Sequence, residues 1–196
     1  MSQQLIEYAR TGDIENLKNL LKEDVDVNIR DAEGRTAVLE ATRYNYPKIV
    51  DILIQHGADV NIQDLYRNNV LLHAGAAGYL EIVKLAIAAG ADTKLTNRYG
   101  GIAIIPAAER AHVEVIEELL TYSDSDVNHI NNLHWTALME AVILGDGGVR
   151  HQKAVEVLLK HGADPNIADR DGITPLQHAE QLGYTEIALL LKAADA

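Results

Sequence analysis

Apolar residues recur along Ile49–Asn61 (IVDILIQHGADVN) at the spacing of one helix face: Ile49, Ile52 and Leu53, with Val50 and Ile54 beside them. Gly57 follows the last periodic position, where a left-handed C-cap favours a residue without a Cβ. The stretch therefore predicts a helix, its stop and the start of a turn. The same arrangement returns as VKLAIAAGADTK at 83–94 and VEVLLKHGADPN at 155–166, and in blurred form at Leu17–Asn28 and Val115–Asn128. A pattern that returns in register predicts a stack of similar units, each burying its apolar face against the next.

The units can be laid out by their turn starts. Asp31 opens DAEGRTAVLEA, Asp64 opens DLYRNNVLLHA, Asn97 opens NRYGGIAIIPA, Asn131 opens NNLHWTALMEA and Asp169 opens DRDGITPLQHA, at separations of 33, 33, 34 and 38 residues. This predicts a single domain over 1–196, with full units at 31–63, 64–96, 97–130 and 131–168. Residues 1–30 form a capping half-unit without the opening turn, and 169–196 form a C-terminal cap. Within a unit, an Asp and a Gly three apart in DAEG and DRDG suit the ends of a type I turn. Thr36, Thr136 and Thr174 are placed to cap a first, short helix, and Pro175 falls where a missing N–H costs nothing. Ala41, Ala74, Ala107, Ala141 and Ala179 share one column of that helix, so neighbouring helices can approach closely. The second helix offers Ile49/Val50, Ile82/Val83, Val115/Ile116, Ala154/Val155 and Ile187/Ala188 to the next unit.

The pattern D-x-x-G-x-T-P-L-x-x-A, then G-x-x-E-I-V, then L-L-x-x-G-A-D-x-N resembles the ankyrin repeat across essentially the whole chain, and the wording of the third and fourth units is similar to stand-alone bacterial ankyrin proteins. The resemblance implies an all-α ankyrin-repeat solenoid of stacked helix-turn-helix units with β-turn or hairpin fingers. There are departures. The histidine that usually follows T-P-L is replaced by Leu39, Leu72, Ile105, Met139 and Gln177, so packing is expected to substitute for its bonds between turns. Arg67 and His134 replace the turn glycine, which predicts an altered turn or a positive φ. Pro106 is expected to remove a donor from the first helix of its unit and kink it, at about 3 kcal/mol for an interior position. Unit four gains Asp146–Arg150 between its helices.

Composition narrows the function. The chain has 47% hydrophobic residues, no cysteine and no apolar run long enough to span a membrane. The missing cysteines exclude a disulfide, a thiolate nucleophile and a cysteine zinc site. A net charge of −12 without a basic cluster argues against nucleic acid as a partner. The N-terminal MSQQLIEYARTGDIENLK has no apolar signal core, so the expected localisation is the cytoplasm. No nucleophile elbow, P-loop or dinucleotide fingerprint occurs, and GDGG at 145–148 lacks the strand and lysine of a phosphate loop. No cofactor is implied. The one arrangement with catalytic or metal-binding character is a column of the first helices, Glu7, Glu40, His73, Glu140 and His178, in which Glu40/His73 and Glu140/His178 are one unit apart. His129, His134 and His151 also flank the odd unit four, near Asp146.

The resemblance points instead to binding. Ankyrin proteins use turn tips and first-helix exits as a concave surface, and the matching positions here carry an unusual share of aromatic and apolar residues. They are Arg35, Leu65, Tyr66, Arg98, Tyr99, Leu133 and Trp135 on the turns, and Arg43, Tyr44, Arg110, Ile143 and Leu144 at the helix exits. Tyr, Trp and Arg dominate binding hot spots, and exposed apolar patches mark interaction sites. The expectation is a non-catalytic module for a protein or peptide partner, with Leu65, Tyr66, Tyr99, Leu133 and Trp135 supplying burial and the arginines specificity. Two other readings are an enzyme or metal-dependent protein built on the Glu/His pairs, and a structural homo-oligomer joined through the aromatic stripe.

Overall fold

The computed structural model describes residues 2–195; Met1 and Ala196, the outermost positions expected in the two end caps, lie outside the described residues. Helices come in pairs. They are α1 (Ser2–Thr11) with α2 (Ile14–Leu20), α3 (Ala37–Arg43) with α4 (Pro47–Gln55), and α5 (Val70–Ala77) with α6 (Leu80–Ala88). There follow α7 (Ile104–Glu109) with α8 (Val113–Tyr122), α9 (Ala137–Ile143) with α10 (Val149–Lys160), and α11 (Pro175–Leu182) with α12 (Thr185–Ala194). The odd-numbered helices form an inner row, each packed on the next, and α4, α6, α8, α10 and α12 form the outer row.

The core is the seam between the rows. Ala41, Ala74, Ala107, Ala141 and Ala179 are fully enclosed on the inner row, and Ile49/Val50, Ile82/Val83 and Val115/Ile116 are buried on the outer row. Each such Val or Ile contributes about 1.5–3 kcal/mol through burial. Gly75 marks a close approach of α5 to the start of the next unit's inner helix: a Cβ there would lie 3.1 Å from the Ala103 carbonyl oxygen and 3.2 Å from the Ala103 Cβ. The caps follow the local chemistry. Thr36, Asn69, Thr136 and Thr174 each accept the N–H three residues on, and Gly57 has φ +87° beyond the end of α4.

Two sets of side chains stitch neighbouring units. The Asn28 side chain accepts the Asp59 N–H (2.8 Å) and donates to the Gly57 carbonyl (3.3 Å). Asn61 repeats this with Asp92 and Gly90, and Asn128 with Asp164 and Gly162. Lys94 stands in that column at the intervening step, where the Thr93 hydroxyl bonds Asp124 at 2.6 Å instead. In the absence of the usual histidine, packing does not work alone. Arg30 donates to the carbonyls of Gly34 (2.9 Å) and Gln63 (2.6 Å), and Gln63 donates to those of Arg67 (2.7 Å) and Thr96 (2.9 Å).

The fingers correct an expectation: the described residues contain no strand and no hairpin. Adjacent loops meet through isolated backbone bonds, Leu65 N–H to Glu33 C=O and Asn132 N–H to Tyr99 C=O (both 3.0 Å), whereas a ladder needs consecutive pairs. Each loop is held from within by its first residue. Asp31 Oδ1 accepts the N–H groups of Glu33 and Arg35, and Asp64, Asn97, Asn131 and Asp169 do the same in their loops. That inward bonding uses the donors a strand pair would have used. Arg67 and His134 take φ +62° and +68°, where glycine would be unstrained.

Pro106 gives a second correction. Because α7 begins at Ile104, Pro106 falls in its first turn, where an N–H has no helical acceptor to lose. Ile102 stands where other units have a capping Thr or Asn, and the Ile105 N–H bonds the Ile102 carbonyl at 3.1 Å. The unit-four insertion is structured too. Val149 and Arg150 open α10, while Arg150 reaches back to both oxygens of Glu114 (3.1 and 3.0 Å) and to the Ala111 carbonyl (3.1 Å).

Candidate functional site

The inner row and the loops enclose a concave pocket of about 430 Å³ over units two to four. Tyr66 and Tyr99 come from consecutive loops, Leu133 from the next, and Leu144 from the end of α9. Leu72, Ile105 and Pro106 also line it, as do Arg98, Glu109, Arg110 and Glu140. Tyr66, Tyr99, Leu133 and Leu144 are 49%, 56%, 51% and 49% exposed, so one concave surface holds four large side chains half in water. The helix positions supply the floor because the inner helices are short and small-faced, and the loops overhang it.

Glu140 is the polar centre of this pocket. It is 6% exposed and accepts one bond, from Asn131 Nδ2 at 2.7 Å. Among the described residues no donor reaches its other carboxyl oxygen. Burial, and then the charge of Glu109, push its pKa from 4.5 up to about 7, against the smaller opposing effects of Asn131 and Arg110. Arg110 lines the same pocket but forms no ion pair with Glu140, donating to the Ala76 carbonyl at 3.1 Å and lying 3.9 Å from Glu109. Arg98 sits 4.8 Å above the Tyr99 ring.

Glu40 holds the same column position in unit one and is fully buried, yet its surroundings are opposite. It accepts from Arg43 (2.8 Å) and Arg35 (3.3 Å) on one oxygen and from Arg10 (3.3 Å) on the other. Arg10 also reaches Glu7 at 3.0 Å and Asp31 at 3.6 Å. This is a closed cationic cage around one carboxylate.

The sequence-derived residues therefore separate. Tyr66, Arg98, Tyr99, Arg110, Leu133 and Leu144 meet at the pocket. Arg35 and Arg43 bind Glu40, and Tyr44 stacks on Tyr46 with ring centroids 6.2 Å apart. Leu65, 70% exposed, lies outside the pocket lining, and Trp135 and Ile143 are half-buried beside it. The acid–histidine pairs do not form. His178 Nε2 lies 2.7 Å from Asp169 Oδ2, and Glu40 is occupied by arginines. His73 packs against the Tyr79 ring, and burial, then the charge of Arg43, lower its pKa. His129 faces the Gly100 carbonyl (2.8 Å), while His151 faces Asp146 (2.8 Å) and the Glu109 carbonyl (2.9 Å). Among the described residues no three His, Asp or Glu side chains gather as a metal site, and no helix is long and apolar enough to cross a membrane.

What the sequence reading missed is the joint environment of Glu140. The signal was available in the register: the positions of Arg10, Arg35 and Arg43 are held by Glu109, Trp135 and Ile143 around Glu140.

Comparison with known proteins agrees with this architecture. The family model for ankyrin repeats (3 copies) matches residues 5–64, 71–169 and 107–196. The chain is 39% identical over 188 residues to the ankyrin repeat protein YahD of Escherichia coli (strain K12), covering 96% of this chain and 94% of that one. The crystal structure of an ankyrin repeat domain from Acinetobacter baumannii AYE is 50% identical, with a TM-score of 0.95 and 98% of each chain covered. The ankyrin repeat protein EF0377 is 36% identical at the same TM-score, again with 98% of each chain covered. The paired helices, the stitched inner and outer rows and these matches together place the chain in the ankyrin-repeat family, a family of protein–protein interaction modules.

Proposed function

We propose that the concave face over units two to four docks a protein or peptide partner, without chemistry of its own. The observation that carries this is the convergence of exposed Tyr66, Tyr99, Leu133 and Leu144 on one pocket, where a merely solvated array would carry charges. The surface is pre-formed by stacked helices, so docking immobilises little of the module itself. Trp135, half-buried on the loop that carries Leu133, adds a rigid aromatic side chain to the same finger.

The test compares capture from the source cell's lysate by the wild type and by a Tyr66→Ala/Tyr99→Ala/Trp135→Ala variant, with mass spectrometry of what is retained. Each aromatic is expected to contribute more than about 1 kcal/mol, so a specific partner should be lost from the variant. Equal retention by both proteins would move the site off the concave face. Light scattering on the purified chain tests self-association through the same stripe, the remaining reading of that surface.

A further inference from the structure

We propose that the pocket around Glu140 is a receptor for a cationic side chain, an arginine or lysine, carried by the docking partner. The proposal rests on the concave-face reading and specifies its chemistry.

The argument comes from the protein's own repeat symmetry. At Glu40 the fold shows what a carboxylate in this column demands: three guanidinium groups, from the preceding helix exit (Arg10), the unit's own loop (Arg35) and one turn along its own helix (Arg43). At Glu140 those three places hold Glu109, Trp135 and Ile143. The carboxyl is retained and still largely withdrawn from water, at 6% exposure against 0% for Glu40, but those three cations are gone and one is replaced by a second acid. Next to it is an open concavity of about 430 Å³, lined by Glu109, which holds the place of Arg10. Glu140 lines it, with one oxygen held by Asn131 and the other lacking a protein donor among the described residues. A buried carboxyl without a cation is an unfavourable arrangement that an incoming cation relieves. The walls suit the rest of such a side chain. Leu133 and Leu144, from the same unit as Glu140, supply apolar contact for an aliphatic stem, and the exposed Tyr99 ring, already faced by Arg98, stands on the preceding loop.

The occupant is external because the internal cations are committed. Arg110, on α7, is held by the Ala76 carbonyl and Glu109, and Arg98, on the preceding loop, lies over Tyr99. On the other side, α11 offers His178, which is tied to Asp169. The groups facing Glu140 are thus Asn131 from its own loop, Glu109 and Arg110 from α7, and the His178–Asp169 pair beyond. With Glu140 half-protonated near pH 7, cation binding should strengthen as pH rises.

The test is an NMR titration of the full chain with two capped tripeptides, Ala-Arg-Ala and Ala-citrulline-Ala, which share shape and differ in charge. The arginine peptide should shift the pocket resonances saturably and bind about tenfold more tightly than the citrulline peptide. Its affinity should rise about tenfold from pH 6 to pH 8, and Glu140→Gln should remove both the preference and the pH dependence. Ile143→Arg, which restores the geometry of Arg43 beside Glu40, should fill the site from within and weaken the peptide about tenfold. Equal binding of the two peptides, binding unaffected by Glu140→Gln, or no saturable shift in the pocket would each overturn the proposal. Such a failure leaves the concave-face reading intact if the triple-alanine variant still loses a lysate partner. Retention of that partner by the variant is the separate failure of the broader reading.

Discussion

Glu40 and Glu140 occupy the same place in two copies of one structural unit, and the fold treats them oppositely. Both sit on the inner helices, both are withdrawn from water, and both are three residues before the last position of their helix. Glu40 is closed over by three arginines reaching it at 2.8–3.3 Å. Glu140 has one neutral donor and a neighbouring acid, and it opens on a pocket. The loops beside them differ in the same sense: Gly34 takes φ +77° without strain, whereas His134 takes φ +68° with a Cβ. A repeat scaffold tolerates this divergence because each unit contacts only its neighbours, so the unit next to one cap can be closed for stability while the unit next to the other keeps an unfavourable arrangement for binding.

The largest expected effect separates the two carboxyls directly. Glu40→Gln leaves three guanidinium groups around a neutral amide, and about 3 kcal/mol of stability should be lost in urea denaturation. The arginines are 19–37% exposed and can turn partly to water, which keeps the loss at that level rather than higher. An unchanged midpoint would mean that the cage contributes nothing.

Glu140→Gln should act in the other direction. Because the folded pKa of about 7 lies above the ordinary 4.5, the folded chain keeps a proton that the unfolded chain releases between those values. The wild type should therefore be favoured by this group below about pH 4.5 and lose that contribution as pH rises through 7. At pH 8 the glutamine variant should be the more stable protein, by as much as about 3 kcal/mol, and near pH 4.5 the two should coincide. Parallel denaturation curves across that range would show that Glu140 does not titrate abnormally.

The smallest effect concerns the loops. His134→Gly should relieve the left-handed backbone and stabilise the chain by about 0.5 kcal/mol, because glycine gives back part of the gain as chain entropy. Gly34→Ala should destabilise by a comparable or larger amount, since it imposes at unit one the strain that unit four already carries.

The register of repeats exposed more of this than side-chain identity did. The helix pairs, the Thr36, Thr136 and Thr174 caps and the Gly57 stop were readable because each depends on residues within a few positions of one another. The six pocket residues Tyr66, Arg98, Tyr99, Arg110, Leu133 and Leu144 were readable as a surface because loop tips and helix exits recur at fixed places in the unit. Their separation from Arg35 and Arg43 was not, since both sets occupy equivalent columns and differ only in whether a carboxylate lies within reach. The proposed Glu/His pairs failed for the same reason: His178 found Asp169 nine residues away, closer than any group one unit away.

By itself the sequence determined the period, the paired helices and the apolar seam, because burial at helical spacing and end-capping are local and repeat with the chain. Tertiary structure alone decided that the loops bond inward to Asp31, Asp64, Asn97, Asn131 and Asp169 without forming hairpins, and that Pro106 lies harmlessly in a first turn. It also decided which of two equivalent buried carboxyls is neutralised. That outcome depends on the reach of side chains from three separate elements converging on one point, and only the packed stack sets those distances.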